Sequence, residues 1–354
     1  MSAVHVIVPD SIDDPARPSG GNVYDRRICE GLAALGWSVD EHPLPGAWPM
    51  PDAAARAALT NLLTGLPDGT TVLLDGLIAS AAADLPRFAG RLLLLVLVHM
   101  PRAQGRDDNA QTRAVEGAVL SAVAGVVTTS AWTKDWLLER YRLEPDRIHV
   151  VAPGADAAEP VPGTAGGGEL LCVAAVTPAK GQDVLIAALA EVEDLPWDCV
   201  CVGAVDLDPG FVDQLRREAA RGGIGTRIRF VGARTGGDLA AVYAAADVVV
   251  LASRAETYGM VVTEALARGI PVIATAVGGV PEALGYGSDR IRPGILLPPE
   301  DPGALAAALR DWLGDPGLRE RLRRAAGQRR AGLSSWSAAA GRLSDVLAGV
   351  GARR

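Results

Sequence analysis

The sequence predicts an α/β protein of two domains, each built around a parallel sheet. Its 354 residues exceed what one ordinary hydrophobic core holds and suit two domains of typical size. Short, almost continuous apolar runs, such as residues 91–98 and 247–251, are typical of strands buried on both faces of a parallel sheet. Residues 157–168 hold two prolines and four glycines, which predicts a linker between the domains.

The first domain, residues 1–156, is predicted to alternate strands with helices. The predicted strands lie at residues 4–9, 39–43, 71–75, 91–98, 125–129 and 148–152. Helices are predicted at 22–35, 53–63 and 131–141, and Gly36 ends the first of them. Gly20 and Gly21 therefore precede the first helix, where paired glycines allow a ligand to approach the backbone; a plain strand-to-helix turn is the alternative.

The second domain, residues 169–334, repeats the alternation. Its predicted strands lie at residues 170–176, 199–202, 228–231, 247–251, 272–274 and 295–297. Helices are predicted at 183–190, 211–221, 259–268, 303–314 and 316–330, with a further helix at 335–354. The Arg-rich helix near the end is predicted to expose a solvated, charged face.

The composition argues against several classes of protein and of site. A net charge of −8 argues against a nucleic-acid binder, which would show a basic footprint. The four cysteines lie in apolar segments without a Cys-x-x-Cys pair, so reduced core residues are predicted instead of metal ligands or disulfides. The start lacks the features of a signal peptide, and no apolar run approaches the roughly 20 residues of a membrane span. A cytoplasmic protein is expected.

Two carboxylates, Glu256 and Glu264, flank the predicted start of the helix that follows the strand at 247–251. The free N–H groups of Gly259, Met260 and Val261 would attract an anion, because a helix start offers unpaired donors and the positive end of the macrodipole. Ligands of open α/β sheets bind beyond the carboxyl ends of the strands. This order suits a nucleotide diphosphate sugar, although a solvated helix glutamate and a turn acid are the simpler interpretation of the pair alone.

A lysine in a second loop suits the same ligand. Lys180 follows the predicted strand at 170–176 and precedes a helix, where a mobile point charge can bind phosphate. The chain has only one other lysine, Lys134. A surface lysine without function is the alternative.

Several motifs in register resemble the retaining GT-B glycosyltransferases of family four, also described as glycosyl transferases group 1. The resemblance covers nearly the whole chain. It rests on Glu256-x7-Glu264 with Tyr258-Gly259 inside it, the stretch 269–282, Lys180-Gly181, the turn at 151–156, and Gly20-Gly21.

The resemblance implies two Rossmann-like domains that face each other across a cleft, with the helix at 335–354 packing back on the first. It implies transfer of a hexose-type sugar from a nucleotide diphosphate sugar to an acceptor hydroxyl, with the anomeric configuration retained. No metal ion or other cofactor is implied. The donor would bind the second domain and the acceptor the first.

The resemblance also implies roles for single residues. His99, Lys180 and Glu256 would act on the transferred sugar and the diphosphate. The implied donor-binding residues are Gly20, Gly21, Lys180, Gly232, Arg234, Glu256, Tyr258, Gly259, Met260, Val261 and Glu264, of which Gly232 and Arg234 would receive the base and Glu264 the ribose.

One departure from the family concerns an arginine about five residues before the lysine, which is replaced here by Ala174 and Ala175. A charged hydrogen bond contributes roughly 1.5–3 kcal/mol, so its loss would weaken phosphate binding. Arg254, Arg102 and Arg17 are candidates to replace it.

The acceptor is predicted to be a soluble small molecule. Residues 1–155 hold thirteen Arg and Lys against eighteen Asp and Glu, which weakens the case for an anionic membrane surface. The segment 100–109, with Arg102, Arg106, Asp107 and Asp108, is expected to contact the acceptor. Alternatives are transfer to a lipid carrier at the membrane surface, a phosphorylase of related fold, and a non-catalytic sugar-nucleotide binding protein.

Overall fold

The computed structural model describes residues 2–104 and 108–352, and contacts divide the chain into two compact units. Unit 1 comprises Met1–Asp13, Ser19–Gly154 and Ser334–Arg354, and unit 2 comprises Asp14–Pro18 and Ala155–Leu333. The segment predicted as a linker groups with unit 2, and the C-terminal helix groups with unit 1. Arg106 and Asp107, from the predicted acceptor loop, lie outside the described residues.

Unit 1 contains a six-stranded sheet in which every pairing is parallel, in the order β2-β1-β3-β4-β5-β6. The strands are β1 (Ala3–Pro9), β2 (Ser38–Leu44), β3 (Thr71–Asp75), β4 (Leu93–Val98), β5 (Gly125–Thr128) and β6 (Ile148–Val150). The helices between them are α1 (Gly20–Ala34), α2 (Ala53–Gly65), α3 (Gly76–Ala79), α4 (Ala110–Ala122) and α5 (Ala131–Arg140). All six residues of β4 are buried, as its continuous apolar sequence predicts.

Unit 2 repeats this plan with the order β12-β11-β10-β7-β8-β9, again all parallel. Its strands are β7 (Glu169–Val173), β8 (Asp198–Val202), β9 (Ile228–Phe230), β10 (Val248–Leu251), β11 (Val272–Thr275) and β12 (Gly294–Leu297). Its helices are α6 (Gln182–Ala190), α7 (Pro209–Arg221), α8 (Gly236–Ala244), α9 (Met260–Ala267), α10 (Val280–Leu284), α11 (Pro302–Gly314) and α12 (Pro316–Ala331). The last helix of the chain is α13 (Trp336–Gly351).

The prediction that Gly20 and Gly21 precede the first helix is wrong. Both belong to α1, because Ser19 is the N-cap and its side chain accepts a hydrogen bond from the Asn22 N–H at 3.0 Å. The helices α4 and α8 were not predicted.

The Arg-rich face of α12 is not simply solvated, contrary to expectation. Arg319 is 6% exposed and donates to the carbonyl oxygens of Trp312 and Leu313. Arg323 donates to the buried carboxylate of Asp247 at 2.7 Å. These arginines satisfy buried acceptors within unit 2, which explains the Arg-rich sequence without an anionic partner.

Two expectations about composition can be compared with the fold. Cys29, Cys172, Cys199 and Cys201 are all free and buried, which confirms the prediction of reduced core residues. Among the described residues, no helix combines the length and apolar character needed to cross a bilayer.

Within unit 1, α13 packs closely on α1. A Cβ added at Gly31 would lie only 2.4 Å from the Cβ of Ala340, so glycine permits the close approach of the two helices. The indole N–H of Trp37, beyond the end of α1, donates to the Ser344 hydroxyl at 2.9 Å. The ring of Trp336 meets the edge of Tyr24 with centroids 5.7 Å apart.

Gly31→Val is expected to lower the free energy of unfolding by about 1–3 kcal/mol, because the added carbons overpack the contact between α1 and α13. Urea denaturation followed by circular dichroism measures the change. Gly349→Ala on α13, where an added Cβ meets nothing within 4 Å, is the control and should be neutral or stabilising. Equal midpoints for wild type and Gly31→Val would contradict this packing.

Candidate functional site

The main polar cluster of unit 2 lies at the carboxyl ends of neighbouring parallel strands. Lys180 follows β7 and Glu256 follows β10, which pairs directly with β7. The Lys180 Nζ donates to Glu256 Oε1 at 2.7 Å, and the Ser253 hydroxyl donates to the same oxygen at 2.8 Å. The lysine side chain is 26% exposed and the glutamate side chain 11% exposed. The fold thus joins two predicted site residues in a half-buried ion pair.

The loops that carry this pair are tied to each other. The Arg254 N–H donates to the Ala179 carbonyl at 2.9 Å, next to Lys180. Its guanidinium binds both carboxylate oxygens of Asp183 at 2.9 and 2.7 Å and one oxygen of Glu300 at 3.1 Å. Such bidentate pairs restrict geometry as well as adding energy. Arg254 therefore holds the Lys180 loop in place.

Gly278 and Gly279, which follow β11, pack against the backbone of Glu256. A Cβ added at Gly278, which has φ 53°, would lie 1.5 Å from the Glu256 carbonyl oxygen. The Gly279 N–H donates to that oxygen at 3.3 Å. The Thr275 hydroxyl donates to the Ser253 carbonyl at 2.5 Å. The Gly278-Gly279 sequence is thus explained by backbone contact with the Glu256 loop.

Helix α9 begins beside these loops without a side-chain cap. Gly259 is its N-cap, in a left-handed conformation with φ 84°, and Met260 and Val261 are its first residues. The first N–H groups of a helix have no partner within the helix and carry the positive end of its dipole. The uncapped start is therefore suited to an anion, and binding of an anion there stays a prediction. Tyr258 is 8% exposed and forms part of the packed loop.

Glu264 is a half-buried residue of α9. Its Oε2 accepts a hydrogen bond from the Tyr243 hydroxyl at 2.8 Å. The Arg268 guanidinium lies 4.4 Å from the Tyr243 ring centroid and donates to the Glu264 carbonyl at 2.8 Å. Burial raises the pKa of the Glu264 carboxyl more than the Tyr243 hydrogen bond and the Arg268 charge lower it. Tyr243 was not predicted as a site residue, because the helix that carries it, α8, was not predicted either.

The predicted base-binding residues lie at the same edge of the unit 2 sheet. Gly232 follows β9, and its carbonyl accepts a hydrogen bond from the Gly203 N–H, just beyond β8, at 3.0 Å. Arg234 is exposed and donates to the Ala233 carbonyl at 2.9 Å. The position of both residues is compatible with their predicted role, which stays a prediction.

Two of the three candidates to replace the missing arginine, Arg254 and Arg17, have other partners for their guanidinium groups. Arg254 is held by Asp183 and Glu300, as described above. Arg17 donates to Asp206 at 3.0 Å. The Arg102 backbone N–H donates to Glu116, a fully buried carboxylate of α4, and no described residue bonds its buried side-chain Nε. The uncapped helix start and Lys180 thus remain the groups best placed for a diphosphate.

Unit 1 has its own polar cluster at the carboxyl ends of its strands. His99 directly follows β4, and its Nε2 lies 2.7 Å from Asp25 Oδ1 and 3.9 Å from Asp75 Oδ2. Asp25 on α1 is 3% exposed, and Asp75 at the end of β3 is 4% exposed. A Cβ added at Gly21 would lie 3.2 Å from His99 Cδ2. The fold thus brings two predicted residues, His99 and Gly21, next to two unpredicted acids.

The buried acids and His99 change each other's pKa values. Burial alone would lower the pKa of His99, but its hydrogen bond to Asp25 and the charges of Asp25 and Asp75 raise it to about 9. Burial, together with the neighbouring Asp25, raises the pKa of Asp75. Asp75 could have been singled out as an acid at the end of a predicted strand. Asp25 gives no such signal, because only the packing of α1 places it against His99.

Comparison with solved structures defines the class of fold. Sucrose-phosphate synthase from Thermosynechococcus elongatus superposes with a TM-score of 0.80 at 24% identity, covering all of both chains. Anabaena Alr3699/HepE, in complex with UDP and glucose, gives a TM-score of 0.76 at 17% identity, over 98% of this chain and all of that one. With its two parallel α/β units, the chain has the GT-B fold, as predicted.

Sequence comparisons support the family resemblance. Residues 164–329 of unit 2 match the model described as Glycosyl transferases group 1, which confirms the predicted resemblance over this part of the chain. D-inositol 3-phosphate glycosyltransferase 1 of Catenulispora acidiphila is 35% identical over 268 residues, which are 70% of this chain and 62% of that protein. The D-inositol 3-phosphate glycosyltransferase of Jonesia denitrificans is 32% identical over 283 residues, 71% of this chain. The chain spans less than two thirds of the length of these curated relatives, 62% and 65%.

Glu264→Gln is expected to stabilise the folded chain at neutral pH. The folded pKa lies above the ordinary value of 4.5, so the stability that protonated Glu264 contributes is lost as pH rises through the folded pKa. The neutral amide avoids this cost while still accepting the Tyr243 hydrogen bond. Thermal melts from pH 4 to pH 8 should show a gain for the variant that disappears at low pH.

The control is Glu320→Gln, which changes an exposed glutamate paired with Arg324 on α12. Its effect should be small at every pH, because exposed ion pairs contribute little. A Glu264→Gln variant that is less stable than wild type at neutral pH would contradict the assigned environment of Glu264.

Proposed function

We propose that the chain is a retaining glycosyltransferase that moves a hexose-type sugar from a nucleotide diphosphate sugar to the hydroxyl of a soluble small molecule. The observation that carries this proposal is the Lys180–Glu256 pair beside the uncapped start of α9, with Glu264 on the same helix. A cation, free N–H groups and two carboxylates match the successive parts of such a donor. The diphosphate would bind the cation and the N–H groups, and the hydroxyls of ribose and sugar would bind the carboxylates.

The electrostatics of the site favour a negatively charged leaving group. Lys180 and the start of α9 supply preorganised positive charge where a nucleoside diphosphate would form as the sugar departs. Glu256, oriented by Ser253 and Lys180, would accept hydrogen bonds from the sugar hydroxyls. Because these groups stabilise the phosphate charge themselves, we propose that the reaction needs no metal ion or other cofactor.

Retention of the anomeric configuration would follow if the acceptor hydroxyl attacks the sugar on the face that the leaving group vacates. The departing phosphate oxygen would accept the proton of the acceptor hydroxyl, while Lys180 and the α9 start stabilise its charge. No enzyme carboxylate then needs to act as nucleophile. The contacts predicted for His99, Gly20 and Gly21 of unit 1 with the donor belong to the same proposal.

The names of similar proteins support the substrate classes. The curated relatives are D-inositol 3-phosphate glycosyltransferases, and one structural neighbour is described with UDP and glucose. A nucleotide-linked hexose as donor and a small hydroxylated molecule as acceptor agree with both descriptions. We propose that the reaction takes place in the cytoplasm, where nucleotide sugars are available.

A thermal-shift screen with UDP, GDP, ADP and TDP and their common hexose conjugates should identify the donor. A ligand at 100 times its dissociation constant adds about 2.7 kcal/mol to the free energy of unfolding, which produces a clear shift. We expect one nucleotide family to stabilise the chain and Glu264→Ala to remove the effect. Stabilisation by inorganic phosphate alone would instead support a phosphorylase, and nucleotide binding without turnover would support a binding protein.

The variant Lys180→Ala should weaken binding of the nucleoside diphosphate by ~10- to 100-fold, because a hydrogen bond to a charged group contributes roughly 1.5–3 kcal/mol. Isothermal titration calorimetry measures the change. Lys134→Ala removes the other lysine, which donates to the carbonyls of Pro145 and Ile148 in unit 1, and should leave the affinity unchanged. Equal affinities for wild type and Lys180→Ala would exclude the proposed diphosphate site.

The stereochemistry is tested separately by proton NMR of the product formed from an α-linked donor. An α-linked product is expected. A β-linked product would exclude the retaining mechanism while leaving the donor site intact.

A further inference from the structure

The buried acids behind His99 form a group that the proposed donor site does not use. Asp25, Asp75 and His99 each present one polar atom, and these atoms lie within 4.8 Å of one another. Asp25 Oδ2 is buried and accepts no hydrogen bond from a described residue. A buried acceptor without a donor is costly, so the arrangement calls for a proton or a cation.

We propose that Asp75 is a neutral carboxylic acid that donates a hydrogen bond to Asp25, whose carboxylate in turn accepts the Nε2–H of a positively charged His99. Asp25 and Asp75 are then positioning residues: they fix the orientation and charge of the imidazole and leave Nδ1 as the ring nitrogen for a ligand. The consequence for sugar transfer rests on the proposed function, but the arrangement of protons does not.

Charge balance supports this assignment. With both acids ionised and His99 charged, the cluster would hold one uncompensated negative charge among residues that are 3% and 4% exposed. Burying an unpaired charge costs several kcal/mol, and two carboxylates at close range do not both ionise readily. One additional proton makes the cluster neutral and supplies the donor that Asp25 Oδ2 lacks.

The surroundings select Asp75 as the acid that holds the proton. The Leu77 N–H donates to Asp75 Oδ1 at 2.5 Å, which leaves Oδ2 to carry the proton. Asp25 Oδ1 instead lies 2.7 Å from the His99 Nε2, in position to accept the ring N–H. Burial and the nearby Asp25 charge raise the pKa of Asp75 to about 7, which is the direction that a proton on Asp75 requires.

The other groups near this cluster have contacts of their own. The Tyr24 ring meets the imidazole edge-on with centroids 5.2 Å apart, but its hydroxyl donates to the Val151 carbonyl at 2.8 Å. Gly21 packs against the ring carbon Cδ2. The charge of Arg342 on α13 lowers the pKa of Tyr24, although burial raises that pKa more. The Arg342 guanidinium donates to the Ser334 hydroxyl and to the Ala152 carbonyl.

A divalent metal ion could also neutralise two carboxylates, but the distances favour a proton. The 2.7 Å between His99 Nε2 and Asp25 Oδ1 is a hydrogen-bond distance. Ligand atoms about 2.0 Å from a tetrahedral zinc ion would stand roughly 3.3 Å apart. A metal site is thus the alternative to the proton, and metal analysis of the purified protein distinguishes the two.

The experiment is an NMR titration of the histidine side chains in the full chain, which contains only His5, His42, His99 and His149. The His99→Gln variant assigns the His99 signal. In the wild type we expect His99 to stay charged at pH 7.5 and to titrate near its pKa of about 9. A neutral His99 at pH 7.5 would overturn the proposal without any further variant.

Two isosteric variants separate the roles of the acids. Asp75→Asn should leave the His99 titration nearly unchanged, because the amide can donate to Asp25 and accept from the Leu77 N–H. Asp25→Asn should lower the His99 pKa by about 2 or more, since it removes the adjacent negative charge. It should also reduce kcat with little change in donor affinity. If Asp75→Asn lowers the His99 pKa as much as Asp25→Asn does, Asp75 is ionised and the proposal fails.

Two controls complete the design. Asp40→Asn removes an exposed acid 3.8 Å from His5 and should leave the His99 titration unchanged. Metal analysis of the purified wild type should find less than a tenth of an equivalent, and a full equivalent lost in Asp75→Asn would replace the proton arrangement by a metal site. Absence of transfer with every nucleotide sugar would contradict the proposed function alone, because the titration does not depend on turnover.

Discussion

The ion pair between Lys180 and Glu256 is the interaction around which the loops at the carboxyl edge of the unit 2 sheet are arranged. The two residues are 76 positions apart in the chain and meet only because β7 and β10 are neighbours in the sheet. A half-buried pair of this kind contributes little net stability, whereas loss of either partner leaves a charge in a poorly solvated position. The surrounding loops hold the pair in a fixed position, and net stability alone does not explain its presence.

The two units use the same structural rule with different chemistry. In each, the carboxyl ends of parallel strands bring polar residues to one edge of a sheet whose interior is apolar. Unit 2 presents a cation, an uncapped helix start and carboxylates, which together suit a phosphate flanked by hydroxyl groups. Unit 1 presents a histidine backed by two buried acids. We propose that the second arrangement controls the charge of one side chain and that the first binds an anionic ligand.

The sequence predicted the features that depend on local pattern. The predicted strands match the twelve described strands of the two sheets, and the helix predicted at 259–268 matches α9. The helices α4 and α8 were missed because their apolar periodicity is weak. Glu116 of α4 is fully buried to bind backbone N–H groups, and α8 begins with two glycines and buries only Tyr243.

Contacts between distant elements could not be predicted in this way. Tyr243 reaches Glu264 from another helix, Asp25 of α1 reaches His99 at the end of β4, and Arg319 reaches carbonyls of another helix. Each of these residues looks like an ordinary surface or core residue in its own segment. Only the register and packing of the sheets bring the partners together, and these depend on the whole chain.

The electron density of a crystal of this chain grown with its nucleoside diphosphate would decide whether the Lys180 loop and α9 form a donor site. The phosphates are expected within hydrogen-bonding distance of Lys180 Nζ and of the N–H groups of Met260 and Val261, with both ribose hydroxyls on Glu264. A nucleotide bound elsewhere on the chain, with Lys180 still paired only to Glu256, would contradict this account.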